Sequence, residues 1–273
     1  MTRKLVSTII PTYNQENFIE EAVESAIAQI GPFDHEIIIS SDGSTDGTFG
    51  IVQRLRRRYP ALIVDVSREM NVGISNNFKR LFSAARGEYI AVLEGDDCWT
   101  DSEKLAKQIA FLDDNSDCSM VFSKIIVKDL SSGKEMTLKR QSSIEIDKLT
   151  GSDFLADPTL NLIANFSCCM FRTRLMKSLP DVLFAHRFNE IAVAFYLDNF
   201  GTLGFIKEPM SVYRQHPAGV WTGSDKLDQL RGGLEARRAA KIVARPEHKD
   251  AIEAIIRDKY LPQLSQLALV DKG

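Results

Sequence analysis

At 273 residues the chain has room for one large α/β domain, or one such domain and a small appendage. A hydrophobic fraction of 44%, a charged fraction of 26% and a net charge of -3 are ordinary for a soluble globular protein and give no reason to expect a nucleic-acid partner. The four cysteines, Cys98, Cys118, Cys168 and Cys169, form no CxxC pair, which argues against a zinc site or a disulfide framework and fits reduced thiols. The N-terminal apolar run stops at Pro11, too short for a signal peptide, and no window approaches the ~18 apolar residues of a membrane span. The expectation is a cytoplasmic protein, with peripheral contact at the inner face of a membrane left open.

The first half alternates strands and helices. "LVSTIIPTY" reads as a strand ending at Pro11, and "NQENFIEEAVESAIAQ" as a helix with Asn14 as N-cap and Phe18, Ala22, Val23, Ala26 and Ile27 at helical spacing. "HEIIISSDGSTDGT" is a strand entering a turn rich in Gly, Ser and Asp. "TFGIVQRLRRRYP" is a helix whose basic end suits the macrodipole and which stops at Pro60. "ALIVDVSRE" follows as a strand, then "ISNNFKRLFSAARG" as a helix with Gly87 as its C-terminal stop. "EYIAVLEGDD" is the fourth strand, and "TDSEKLAKQIAFLDDN" a helix opened by a capping box from Thr100 to Glu103.

The pattern is less regular beyond about residue 115. "CSMVFSKIIVKDL", "NFSCCMFRT" and "GTLGFIKEPMSVYR" read as strands, "NEIAVAFYLDNFG" as a helix, and the chain from about Asp225 as helical with a second helix after Pro246. Strand-helix repetition with continuous apolar strands predicts a mostly parallel sheet covered on both faces, with ligands beyond the carboxyl ends of the strands. The polar clusters "PTYN", "SSDGSTDG" and "EGDD" all fall at those ends.

"YIAVLEGDDCWTD" places Glu94, Asp96 and Asp97 directly after an apolar strand. With Gly95 between them, Glu94 and Asp96 can face one point, where a hard divalent cation such as magnesium or manganese takes one or two protein oxygens and the rest from phosphate. The bland alternative is that the acids cap the following helix, a role Asp97 could fill. Asp42 closes the second strand with a carboxylate that can accept from a base N–H or from ribose hydroxyls. Tyr13 can lie on a flat base, or simply pack.

Together, in this order and spacing, these segments resemble the GT-A glycosyltransferases, specifically glycosyltransferase family 2. "VSTIIPTYNQENFIEEAVESAIAQ", "EIIISSDGSTDGT", "NVGIS" and the DxD-like "GEYIAVLEGDDCW" carry the resemblance over roughly residues 5–112, with weaker similarity to Trp221. The resemblance implies a GT-A, Rossmann-like, mostly parallel sheet flanked by helices. The domain would span 1–222, with 1–112 binding the nucleotide sugar and 113–222 the acceptor, and a helical tail over 223–273.

It further implies that Pro11, Tyr13, Asn14, Asp42, Asn71, Glu94, Gly95, Asp96 and Asp97 line the nucleotide-sugar site, Asp42 pairing with the base of UDP. Glu94 and Asp96 occupy the acidic positions of the DxD motif, Asp96 as the firmer metal ligand. This chain departs from relatives in having Ser41 before Asp42 and "NNFKR" where an Ala-Arg-Asn triplet is common; Lys79 or Arg80 would supply the missing positive charge. In the second half Glu190 is the candidate general base, against the reading of a plain helix-start Glu, with Asp198 as a second candidate. His216, in "SVYRQHPAGVW", would complete the metal site, against an ordinary packing role, and Arg214 and Trp221 would shape the pocket.

The expected activity is therefore inverting transfer of a sugar from a nucleotide diphosphate donor, UDP foremost, to a hydroxyl of a glycan or lipid-linked acceptor in bacterial polysaccharide synthesis, assisted by Mn2+ or Mg2+. A homodimer through the tail is left open. One rival is a sugar nucleotidyltransferase, disfavoured because "PTYNQENF" lacks the Gly and Lys of a triphosphate loop. The other is a sugar-nucleotide-binding subunit without turnover.

Overall fold

Strands buried on both faces set the architecture of the computed structural model, which describes residues 3–219 and 222–270, with side chains through 267. The first half runs β1 (Lys4–Thr12), α1 (Ile19–Ile27), β2 (Phe33–Ser41), α2 (Thr48–Arg58), β3 (Ile63–Asp65), α3 (Ile74–Ala84), β4 (Tyr89–Val92), β5 (Cys98–Trp99) and α4 (Lys104–Asp114). Then come β6 (Cys118–Asp129), β7 (Glu135–Thr137), α5 (Lys139–Ser142), β8 (Lys148–Leu149), α6 (Gly151–Ala156), β9 (Cys169–Arg172), α7 (Thr173–Met176), α8 (Val182–Ala185), α9 (Glu190–Leu197) and β10 (Thr202–Gln215). Helices α10 (Lys226–Val243), α11 (Pro246–Ile255) and α12 (Leu261–Val270) follow.

The strands form one sheet in the order β3-β2-β1-β4-β9-β6-β10-β5, with β7 beside β6 and β8 beside β10. The pairs β3/β2, β2/β1 and β1/β4 are parallel, as strand-helix-strand crossovers require. Strand β9 is antiparallel to both β4 and β6, and joins the regular half to the irregular one. Two apolar layers cover the sheet. Ile10, Ile37 and Ile39 meet α1 and α2 through Val23 and Val52 on one face. Ile9, Ile38 and Phe122 meet α3, α9 and the C-terminal helices on the other, through Phe78, Phe195, Ala240, Ile252 and Tyr260. Each of these isoleucine, valine and phenylalanine side chains, taken wholly out of water, stabilises the fold by about 1.5–3 kcal/mol. All four cysteines are free and buried. Among the described residues no helix is long and apolar enough to cross a membrane.

Several local expectations give way to longer-range contacts. Asn14 does not cap α1, which starts at Ile19 after Phe18. Asn14 instead takes a left-handed conformation (φ 52°), and its Oδ1 accepts from the Thr45 amide at 2.8 Å. The Thr100–Glu103 capping box is not formed: α4 begins at Lys104, and Asp101 Oδ1 accepts from the Glu103 amide instead. Gly87 is not the stop of α3, which ends at Ala84. Gly87 is small because β1 runs past it, and a Cβ there would lie 2.6 Å from the Ser7 nitrogen.

Asp198 ties the C-terminal helices to the domain. Its wholly buried carboxylate accepts from the Gly151 amide at 2.8 Å and faces Arg245 Nε at 2.9 Å and His248 Nε2 at 3.2 Å. That occupation turns it away from the base role weighed for it. Removing Asp198 strands the buried His248 ring and the Gly151 amide without their acceptor, while the half-exposed Arg245 can turn to water. Asp198→Ala should therefore destabilise the protein by about 1–3 kcal/mol, read as a lower denaturant midpoint at unchanged slope; an unmoved midpoint would show that the helices dock without it.

Candidate active site

The site begins where three parallel strands end together. Central strand β1 is fastened to both neighbours at its carboxyl end: the Thr12 carbonyl accepts from the Asp42 amide at 3.0 Å, and the Pro11 carbonyl from the Gly95 amide at 3.1 Å. The two loops on one side are clasped. The Asn14 amide donates to Ser44 Oγ at 3.1 Å, Gln15 N to Thr48 Oγ1 at 2.7 Å, and Gly47 N to Glu16 Oε2 at 2.6 Å. Tyr13 stands out of this clasp with 45% of its surface exposed, a flat face available to a ligand.

Asp42 is 2% exposed and already occupied. Its Oδ2 accepts from the amides of Val72 (3.2 Å) and Gly73 (2.9 Å), and its Oδ1 from Arg80 Nη2 (3.0 Å). Asn71 Oδ1 closes the same turn on the Gly73 amide at 2.8 Å, where φ is 86°. Asp42 thus brackets the "NVGIS" turn and the α3 cation to the end of β2. Of the two cations weighed from sequence, Arg80 faces this site, whereas Lys79 reaches Asp181 at 2.6 Å.

After β4 the chain presents its acids. Gly95 is required by close packing, since a Cβ would sit 2.8 Å from both Cβ and Oγ1 of Thr12 and closer still to Gln15. Asp97 does not cap a helix. It is wholly buried, with Oδ2 accepting from Ser167 Oγ at 2.6 Å and Oδ1 from the Arg214 amide at 3.0 Å. Ser167 Oγ in turn lies 3.0 Å from the Glu94 amide, and the Ser167 carbonyl accepts from Trp99 Nε1 at 2.8 Å and Ser211 Oγ at 3.0 Å. One serine, at the centre of the 3-10 turn that precedes β9, therefore fixes the acidic loop to β5 and β10. Asp97 is pushed well above the usual carboxylate range by burial and by Asp96, against hydrogen bonds from Ser167, Arg214 and Asn165.

Asp96 and His216 meet directly: Oδ2 and Nε2 are 3.2 Å apart, with 13% and 8% of their side chains exposed. Phe18 tilts against the imidazole with ring centroids 4.7 Å apart, and Arg214, paired with Glu21 at 2.8 Å, lies over the Phe18 ring. Glu94 is half-buried beside them, its carboxyl pushed well up by burial and then by Asp97, Asp96 and Glu190, against the pull of Arg187. Glu190 opens α9, where the Asn189 side chain caps the Ala192 amide at 2.9 Å. Burial raises its carboxyl to about 7, against its own backbone hydrogen bond, Arg187 and Arg140.

The structure thus brings Glu94, Asp96, Asp97, Glu190 and His216 together beyond the strand ends, with Asp42 and Tyr13 at the ends of the neighbouring strands. Two residues escaped the sequence reading. Ser167 is an ordinary serine until its long-range bonds are seen. Tyr213 is raised by burial and by all four acids around it, which places its phenol among them. No local pattern marks Tyr213, because residues three apart on a strand point to opposite faces and His216 lies just beyond the end of β10. Trp221 lies outside the described residues. Among the described residues no group of three His, Cys, Asp or Glu side chains is arranged to hold a metal by itself.

A sheet of this order with its acids at the strand ends is that of the GT-A class. The model of Glycosyl transferase family 2 matches residues 7–180, and the chain belongs to that family. An uncharacterized protein of Mycobacterium tuberculosis is 32% identical over 263 residues, spanning 92% of this chain and 71% of its own. Among solved structures, Staphylococcus aureus TarS (residues 1–349) in complex with UDP superposes with a TM-score of 0.66 at 19% identity, covering 94% of this chain and 72% of that one. Mannosyltransferase PcManGT of Pyrobaculum calidifontis, in complex with GDP-Man and Mn2+, gives 0.68 at 18% identity, covering 98% and 74%. At these identities the likeness shows the fold.

If Gly95 is held by contact, Gly95→Ala must push Thr12 and Gln15 aside. Overpacking of this kind should cost about 1–3 kcal/mol in an equilibrium denaturant titration, and an unchanged midpoint would mean that the loop gives way freely.

Proposed function

We propose that the protein is an inverting glycosyltransferase that moves a sugar from a nucleotide diphosphate donor, UDP-sugar foremost, to a hydroxyl of a glycan or lipid-linked acceptor. The observation that carries this reading is the convergence of Glu190, from the second half, on the Glu94–Asp96 strand end of the first. A nucleotide-facing acid pair and a separate raised carboxyl at one crevice are the two parts a single displacement needs. Family membership and the UDP and GDP-Man complexes of the structural neighbours support a nucleotide-sugar donor.

Tyr13 offers its face to the base, while the Asp42 bracket shapes the floor beneath it. Asp96 and His216 fit a divalent cation, Mn2+ or Mg2+: one carboxylate oxygen and one imidazole nitrogen already converge, and the phosphate oxygens of a donor would complete the set. When bound, such a cation supplies Lewis-acid stabilisation of the departing diphosphate. Asp97, locked by Ser167 and the Arg214 amide, holds the loop so that Asp96 keeps its direction. Glu190 accepts the proton of the acceptor hydroxyl, whose oxygen forms the new bond to the anomeric carbon as the bond from that carbon to the diphosphate oxygen breaks. Attack opposite the leaving group inverts the configuration. Family membership supports a role in bacterial polysaccharide synthesis, and a cytoplasmic site of action is part of the proposal.

UDP release from a panel of UDP-sugars, with GDP-Man as the competing donor, measures the activity. Glu190→Gln should lower transfer about 10²–10⁴-fold while leaving the Kd for UDP within about twofold. Asp96→Ala should remove the metal-dependent rate without unfolding the protein. Normal turnover by either variant would remove that residue from the mechanism. The pH profile has a defined sign. A protonated Glu190 is no base, so kcat/KM should fall as pH drops through about 7. A flat profile from pH 5 to 8, or the same acidic limb in Glu190→Gln, would contradict the assignment.

A further inference from the structure

Three buried arginine Nε atoms, on Arg80, Arg140 and Arg237, have no hydrogen-bond partner. Two of these guanidinium groups are otherwise engaged: Arg80 with Asp42 and Asn77, Arg237 with the carbonyls of Gly233 and Thr159. Arg140 differs. Among the described residues its guanidinium makes neither a hydrogen bond nor an ion pair. Its Nε is shut off from solvent, whereas its terminal nitrogens keep access to it. A charged donor closed off without a partner is costly, and a native structure that keeps one calls for a reason.

The backbone beneath Arg140 is held in place. The neighbouring Gln141 is wholly buried; its Oε1 accepts from the Ile125 amide at 3.0 Å, and its Nε2 donates to the carbonyls of Leu162 (2.9 Å) and Ile163 (3.1 Å). Short helix α5 is thereby fastened to β6 and to the loop ahead of β9. The acids in electrostatic reach of Arg140 are Asp157 and Glu190. Asp157 is already engaged in its own turn, with Oδ1 accepting from the Thr159 amide at 2.8 Å and from the Thr159 hydroxyl. Glu190 is the candidate base. The unpaired fork therefore stands within electrostatic reach of Glu190, on a rigid support, with its terminal nitrogens open to solvent.

We propose that Arg140 seats an oxyanion carried by the acceptor sugar, a carboxylate or a phosphate, and so selects acidic acceptors. The planar fork suits either group, because both present paired oxygens to it. The inference rests on the glycosyltransferase reading of the crevice, and it deepens that reading by naming the acceptor's chemical class.

Direct binding tests it independently of turnover. Methyl β-glucuronide, glucose 6-phosphate and the neutral methyl β-glucoside are titrated calorimetrically into the full chain in the presence of UDP. At least one acidic probe should bind about tenfold tighter than the glucoside, as expected for a charge-assisted fork. Which probe does so tells carboxylate from phosphate. Arg140→Gln should erase the preference and leave the Kd for UDP unchanged, and Arg140→Lys should retain part of it. In the unmutated protein, inorganic phosphate should displace the favoured probe but not UDP, a result that needs no variant to fold.

Equal affinity for acidic and neutral probes, or a preference that survives Arg140→Gln, would overturn the proposal. So would a loss of UDP affinity matching the loss of probe affinity, which would assign Arg140 to the donor diphosphate. Absence of UDP release from every donor, with the acidic preference intact, would instead strike the transferase reading and leave the oxyanion seat standing.

Discussion

Carboxylates crowded together out of water repel one another and lose hydration, so each must find a partner or keep its proton. The crevice holds four: Glu94, Asp96, Asp97 and Glu190. Asp97 is answered by Ser167 and the Arg214 amide, and Asp96 by His216 at 3.2 Å. Asp97 keeps a raised carboxyl even so, as do Glu94 and Glu190. The surrounding structure can be understood as the means of holding this arrangement: a rigid sheet end, a glycine where β1 comes too close, and one serine that links the acidic loop to the far half of the sheet.

The same constraint divides the labour. An acid fully bonded within the protein, such as Asp97 or Asp42, can position but has little left to offer a ligand. An acid whose partner is exchangeable, such as Asp96, can trade a histidine hydrogen bond for a cation. An acid held near neutrality by burial, such as Glu190, can take a proton at physiological pH. Position along the chain does not distinguish these roles; environment does.

Much of this was legible in the sequence. The apolar run Tyr89–Leu93 breaking into Glu94, Asp96 and Asp97 marks a strand end with chemistry, because period and composition change together there. The parallel half of the sheet follows from alternating strand and helix patterns, and the surrounding segments pointed to His216 and Glu190, which the structure sets beside the acidic loop. What was not legible is the pairing across long separations. Ser167 meets Asp97 over 70 positions and Arg214 meets it over 117, and no local periodicity encodes either. Helix starts failed for the same reason. Asn14 and Thr100 are good caps by type, but the clasp with Ser44 and Thr45 and the contact from Asp101 to Glu103 compete for the same backbone. The antiparallel β9 and the unpaired Arg140 likewise exist only once distant segments are brought together.

The central claim is that the Asp96–His216 pair opens to receive a divalent cation together with the donor diphosphate. Electron paramagnetic resonance of Mn2+ titrated into the protein, with and without UDP, tests it most directly. The account predicts weak Mn2+ binding alone and strong loss of the free-ion signal when UDP is present, abolished in both Asp96→Ala and His216→Ala. UDP binding of equal strength in chelator and in Mn2+, with the free-ion signal untouched by the protein, would contradict it.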